Sequence, residues 1–276
     1  MLTIITITKN DLQGVQRNLQ STTIMRQFSH VKQIVIDSSD KEIHQQLIEN
    51  TINQENLQIY YQNPQGISKA FNYGIEIAED GWLWFLNGGD EVHPQLDIHL
   101  FIRILETSAS DVMIFPIEVF NLENNQIVYS TNLPSLRELW PPIYNWITHP
   151  GNLIQKKCIV DCGKFKEKFK ITMDADLWFR LFSNNYTTDL LSIKIAKFYA
   201  GGLSSDEEKT YKEMDLVIKT YFLSIVKISL KKIIDVLRVW SFYKKYLISR
   251  RLGQKIPFFC SIKDFFVNKI KLPANK

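Results

Sequence analysis

Cysteine is scarce in this chain of 276 residues, and the three present, Cys158, Cys162 and Cys260, match no metal-ligand spacing. Cys158 and Cys162, four apart on an expected helix, read as small apolar packing residues, and a reducing cytosol suits them. Long apolar runs are missing as well, since none reaches the roughly 18 residues of a membrane span. The chain enters a candidate strand by Leu2 without a basic region and cleavage site, so neither secretion nor spanning is expected. After that strand, Thr8-Lys9-Asn10-Asp11 lacks the Gly-rich, basic phosphate loop that a nucleotidyltransferase would normally carry.

Core material is abundant. Hydrophobic residues make up 45% and aromatic ones 12%, enough for one large α/β domain or a domain with an appendage. The net charge of +4 conceals an asymmetry: Tyr211 to Lys276 holds 15 Lys and Arg against 4 Asp and Glu, a net of +11, which leaves −7 for Met1 to Thr210. The tail is a separate electrostatic object.

The stretch around which the chain is organised is Gly81 to Val92. Trp82 to Leu86 suits a strand buried on both faces, and it stops at Asn87-Gly88-Gly89-Asp90. Two glycines let the backbone turn tightly, and Asp90 and Glu91 place carboxylates just past the carboxyl end of a central strand, where open α/β sheets bind ligands. Taken alone, the same four residues are also ordinary turn composition.

The winding around this stretch is strand, helix, strand. Leu2–Thr8 is β-branched almost throughout, Asn10-Asp11 leads into a helix with Leu12, Val15 and Leu19 on one face, and Val31 to Ile36 repeats the strand signature before Asp37-Ser38-Ser39-Asp40. A helix over 41–50, a strand over 57–61, a helix over 67–78 and the Trp82–Leu86 strand follow. Right-handed crossovers then bring Thr8, Asp37 and Asp90 to one sheet edge. Asp37, at the end of the second strand, suits a base N–H or ribose hydroxyls, with a turn-forming Asp as the alternative. Beyond Asp90, His93-Pro94 predicts a helix to about Thr107 with Pro at its first position, then a strand over 111–115 and a hairpin of 118–122 with 126–131.

The segment Asn63 to Ala78, with its Gly-containing helix and late Asn72, and the strand ending at Asp90 together resemble family-2 glycosyltransferases. In that family the strand ends in a short acidic motif, written Asp-x-Asp, that holds a divalent metal on the sugar-nucleotide diphosphate. Here Asn87 and Gly89 replace the earlier acids and Asp90 alone keeps the carboxylate, while Phe71 stands where an Arg is frequent. Mg²⁺ and Mn²⁺ tolerate one carboxylate, because water and phosphate oxygens complete the octahedron.

A second segment, Cys162-Gly163-Lys164-Phe165 through Met173-Asp174-Ala175-Asp176-Leu177-Trp178-Phe179-Arg180-Leu181, resembles the family's Gly-x-Phe followed by Asp-x-Asp-Leu-x-x-Arg-Leu. Helical spacing puts Asp174 on the stripe of Leu177, Trp178 and Leu181, whereas Asp176 lies about 200° away and can pair with Arg180. A helix dipole is expected to keep Asp174 ionised, as a general base must be, and capping is the alternative role. In the family this position is the proposed base of inverting transfer. Tyr199-Ala200-Gly201-Gly202-Leu203-Ser204-Ser205 resembles the Gly-Gly-x-Ser that closes the domain, with Gly-Gly as a hinge.

The resemblance implies a GT-A nucleotide-diphospho-sugar transferase fold over 1–205, α/β with a mostly parallel central sheet flanked by helices; beyond it, helical periodicity and the basic charge read as a C-terminal basic helical extension over 206–276. It implies Asp174 as catalytic base; Thr6, Thr8, Asp37, Asn72, Asn87, Gly88, Gly89 and Asp90 on the nucleotide-sugar; and Asp90 on Mg²⁺ or Mn²⁺. Asp176, Trp178 and His149 are support or acceptor candidates: Trp178 either stacks on a sugar or packs in the core, and His149 suits structural hydrogen bonding more than ligation. Pro134 to Trp146, with three aromatics, either forms a lip for a sugar or lipid-linked acceptor or packs on the core. The implied donor is a UDP-sugar, the acceptor a glycan or lipid-linked glycan of a capsule or O-antigen-like polysaccharide, and the place the cytoplasm, peripheral to the inner face of the plasma membrane. The tail's interleaved lysines and apolar residues fit either an anionic membrane surface or a solvated helical cap, and no motif supports nucleic acid. A catalytically silent sugar-nucleotide-binding scaffold is the competing class.

Overall fold

Strand β1 (Leu2–Thr8) pairs in parallel with β2 (Val31–Asp37) on one side and β4 (Trp82–Phe85) on the other, and β3 (Leu57–Tyr61) lies outside β2. The computed structural model describes residues 1–133, 147–184, 186–200 and 207–229, with only the backbone of 207 and 222–229. Helices α1 (Leu12–Ser21), α2 (Lys41–Asn50) and α3 (Ile67–Ile77) are the crossovers between these strands. The remaining elements are β5 (Glu91–Val92), α4 (Ile98–Thr107), β6 (Val112–Ile114), β7 (Ile117–Asn121), β8 (Ile127–Ser130), β9 (Asn152–Gln155), α5 (Lys156–Asp161), α6 (Met173–Ser183), β10 (Thr188–Leu190), β11 (Ala196–Ala200) and α7 (Glu207–Ser229).

The main sheet has the order β10-β6-β9-β4-β1-β2-β3, parallel except for β9, which runs antiparallel to both β4 and β6. This is the expected α/β fold with a mostly parallel central sheet. A second sheet, β5-β11-β7-β8, was legible only as the β7–β8 hairpin, because β11 reaches β5 and β7 across long sequence separations.

Burial explains why β4 sits in the middle. Trp82, Leu83, Trp84 and Phe85 are all at most 3% exposed, and both indole N–H groups are satisfied, Trp82 Nε1 by the Leu105 carbonyl at 3.1 Å and Trp84 Nε1 by that of Pro150 at 2.8 Å. Burying these side chains contributes roughly 1.5–3 kcal/mol each. On α3, a Cβ at Gly74 would lie 2.6 Å from Ile5 Cγ2, so the missing side chain is what lets this helix close onto β1.

The helix expected from His93-Pro94 begins later, at Ile98. Asp97 supplies the cap, its Oδ1 accepting from Leu100 N–H at 3.0 Å, while His93 N–H instead extends the β5–β11 ladder to the Ile195 carbonyl at 2.9 Å. Cys158 and Cys162 are buried and free, and burial pushes the Cys158 thiol up to about 12, in keeping with a packing role. The chain forms two compact units, Met1–Met214 and Asp215–Lys276, and the division falls within α7. No helix among the described residues is long and apolar enough to cross a membrane.

Candidate active site

The carboxyl ends of β1, β2 and β4 meet at one edge. Thr8 and Asp37 are register partners, Ser38 N–H donates to the Thr8 carbonyl at 2.9 Å, and Gly88 N–H to the Ile7 carbonyl at 3.0 Å. The loop after β4 therefore lies directly on the end of β1. A Cβ at Gly88 would stand 3.1 Å from both Cβ and Oγ1 of Thr8, so a side chain here would press Thr8 aside by a few tenths of an ångström.

Within the loop, Asn87 and Asp90 hold each other. Asp90 N–H donates to the Asn87 carbonyl at 2.9 Å and Asp90 Oδ2 accepts from Asn87 N–H at 3.0 Å. Asp90 is 3% exposed, and burial pushes its carboxyl up to about 7; the Asn87 N–H opposes this and the neighbouring Glu91 charge adds to it. Two further buried oxygens, Asn87 Oδ1 and Thr8 Oγ1, have no hydrogen-bond partner. Unpaired buried polar atoms are costly, and these two at the ligand edge, with the Asp90 carboxylate in the same loop, mark where a polar ligand would be satisfied.

The loop is held from beneath by residues that sequence reading missed. Asn18 Nδ2 donates to the carbonyls of Leu86, Asn87 and Asp90 at 3.3, 2.9 and 2.9 Å. Its Oδ1 accepts from Gln33 Nε2 at 2.8 Å and from Thr6 Oγ1 at 3.3 Å, and Gln33 also donates to Thr6 Oγ1 at 2.9 Å. Thr6, expected on the ligand, is fully buried in this network and supports the loop instead, since its side chain falls on the inward side of β1. The signal for Asn18 was a polar side chain on the apolar stripe of α1, between Val15 and Leu19.

Asp37 is also fully buried. Oδ1 accepts from Ser39 N–H at 2.9 Å and Ser39 Oγ at 2.5 Å, and Oδ2 pairs with His44 Nδ1 at 2.7 Å. Three of its roughly four acceptor sites are thus used within the chain, which leaves about one for a ligand.

Asn72 is turned toward the second motif. Its amide and the backbone of Phe165 exchange two hydrogen bonds, Nδ2 to the Phe165 carbonyl and Phe165 N–H to Oδ1, both 2.9 Å. Phe71, beside it, is 1% exposed and packs against Phe85, Phe165 and His149 with ring centroids 4.9–5.1 Å away. That position holds an aromatic hub where an Arg would be an unpaired buried charge. These contacts bring the 162–172 segment to the end of β4.

His149 does not act as a hydrogen-bonding residue here: its ring stacks on Phe71 and Phe165, its Nε2 is buried without a partner, and burial holds its basicity down to about 3. It is a neutral aromatic ring at physiological pH. Trp178 is 3% exposed in the core, the packing alternative, with its indole nitrogen unpartnered.

On α6, Asp174 is half-buried and its Oδ1 accepts from Ala175 N–H at 2.7 Å. Burial pushes its carboxyl up to about 6, the Ala175 and its own N–H opposing and the Glu213 charge adding. Such a carboxyl is still mostly ionised at neutral pH and is a stronger base than an unperturbed one. Asp176, 1% exposed, receives Arg180 Nε and Nη2 at 2.9 and 2.6 Å, and Arg180 Nη1 reaches the Cys162 carbonyl at 2.5 Å, so the pair ties α6 to the end of α5. The aromatic stretch 134–146, the Gly201–Gly202 segment and the basic tail from 230 onward lie outside the described residues.

No group of three His, Cys, Asp or Glu side chains among the described residues could hold a metal. Asp90 and Asn87 Oδ1 are nevertheless hard oxygen donors, which suit Mg²⁺ or Mn²⁺ provided that most ligands come from a diphosphate and water.

Residues 3–166, more than half of the chain, match the family model described as glycosyl transferase family 2, and the chain belongs to that family. Its fold is similar to that of S. aureus TarS 1-349, with a TM-score of 0.61 at 18% identity, covering 78% of this chain and 64% of that one. TarS 1-349 in complex with UDP-GlcNAc gives 0.60 at 19% identity, with 74% and 60% covered, and the complex with UDP gives 0.61 at 19%, with 78% and 64% covered. The chain thus spans less than two thirds of the TarS chains it matches. No curated protein matches it.

Proposed function

We propose that the protein is a metal-dependent, inverting glycosyltransferase that moves a sugar from a UDP-sugar to a hydroxyl of a glycan or lipid-linked acceptor in surface-polysaccharide synthesis, working in the cytoplasm on the inner face of the plasma membrane. The observation that carries this reading is Asp90, buried with a carboxyl near 7 beside the unpartnered oxygens of Asn87 and Thr8 at the carboxyl end of β4. Family membership and the likeness to TarS, crystallised with UDP-GlcNAc and with UDP, support the donor class.

Asp90 and Asn87 would hold the divalent ion, and a bound ion would supply positive charge to the diphosphate that leaves. Thr8 Oγ1 and the open position at Gly89, where an added Cβ would meet nothing within 4 Å, offer donor-side contacts. Asp174 takes the proton of the acceptor hydroxyl as that oxygen bonds to the anomeric carbon and the bond from that carbon to the diphosphate oxygen breaks. Attack opposite the leaving group inverts the anomeric centre. Asp37 and Asn72 act on the site by holding the β2 loop and the Phe165 segment in place.

The test is release of nucleoside diphosphate from a panel of nucleotide-sugars with a lipid-linked acceptor, with and without Mn²⁺, alongside Asp90→Ala and Asp174→Asn. Metal-dependent release from one donor, abolished by Asp90→Ala and with transfer lost in Asp174→Asn, is the expected result. Nucleotide binding without turnover would favour a silent scaffold, the second reading, which the single carboxylate of the acidic loop supports. No binding at all would overturn both.

A further inference from the structure

Helix α6 carries Asp174 in its first turn, yet its N-cap residue, Thr172, makes no side-chain capping bond. The backbone leading into the helix is instead held from α7. The Glu213 carboxylate accepts from Lys170 N–H at 2.9 and 3.0 Å, Ile171 N–H at 2.8 Å and Thr172 N–H at 3.0 Å, and from Thr172 Oγ1 at 3.3 Å. Three successive backbone N–H groups converging on one carboxylate make an anion nest at a helix start, here filled by the chain itself.

We infer that Glu213 is a positioning residue for Asp174, fixing the backbone that enters α6 and setting a second negative charge at the start of the helix that carries Asp174. The inference deepens the proposed function and rests on Asp174 being its base. A base two residues past Thr172 is only as well placed as that turn, and an ångström of misplacement is costly in rate. Among the described residues Glu213 is the charged side chain that acts on Asp174 and helps to hold its carboxyl up. On α6 itself, Asp176 is neutralised by Arg180. Lys164 in the incoming segment is paired with Glu76, and Lys168 lies over the Phe169 ring at 4.7 Å.

The experiment uses the full chain with carbon-13-labelled aspartate, following each carboxyl by NMR across pH, with the Asp174 signal assigned from its loss in Asp174→Asn. Glu213→Gln keeps an acceptor for the three N–H groups and removes the charge, so the Asp174 midpoint is expected to fall measurably below about 6 while burial still holds it above the ordinary carboxylate range. Measured with metal and donor saturating, the acid limb of kcat moves down with it, and Glu213→Ala lowers kcat about tenfold with KM for the donor unchanged. An unchanged Asp174 midpoint in Glu213→Gln, with Glu213→Ala leaving kcat intact, would overturn the inference. A midpoint that falls while the acid limb stays put would instead uphold the Glu213–Asp174 coupling and sink the assignment of Asp174 as base.

Discussion

The side-chain amide of Asn18 donates at 2.9 Å to the main-chain carbonyl of Asp90, across 72 residues of sequence. The same amide serves Leu86 and Asn87, so the acidic loop is held by one side chain from the helix beneath it.

Asn18→Ala should therefore strand three carbonyls and take one acceptor from Gln33 and Thr6, at a cost of roughly 2–4 kcal/mol. Urea unfolding measures this, and KM for the donor should rise as the loop loosens. A loss under about 1 kcal/mol would mean that the loop stands without the amide.

Asp90 predicts a conflict between stability and activity. Its carboxyl is raised from 3.8 to about 7 in the folded chain, so the fold favours the protonated form. The stabilisation contributed by this group is then fully present below about 4 and is lost as pH rises through 7. Asp90→Asn should be more stable than the parent at pH 8 by roughly 2–4 kcal/mol, and inactive. Equal melting temperatures at pH 8 would contradict this.

Glu118 has the opposite sign. Lys194, and then His93 at 3.0 Å, hold its carboxyl down from 4.5 to about 2 against the effect of burial, so its stabilisation is present above 4.5 and lost as pH falls toward 2. Glu118→Gln should lose about 1–2 kcal/mol at pH 7, Lys194 being partly exposed, and less at pH 3. Thermal melts at the two pH values provide the comparison.

His149 is used as an aromatic ring with an unpaired nitrogen. His149→Phe should stay within about 1 kcal/mol of the parent, while His149→Ala should lose roughly 2–4 kcal/mol. If His149→Phe folds normally but no longer turns over donor, the imidazole has a chemical role that packing does not explain.

The sequence by itself determined the α/β winding, because β1, β2 and β4 are continuous buried runs whose composition leaves few other states, and each ends in a loop of small polar residues. It also marked Asp90 and Asp174 by position, and the Asp176–Arg180 pair by helical spacing. Tertiary structure decided the rest, since burial and partners depend on what other segments bring. Asp37 is bonded to Ser39 and His44, Thr6 faces inward, and Phe71 fills an aromatic cluster. The carboxyls of Asp90 and Asp174 rise because surrounding chain excludes water from them, and no local pattern encodes that exclusion. Asn18 and Glu213 became legible only when folding carried each across the chain to the backbone groups it satisfies.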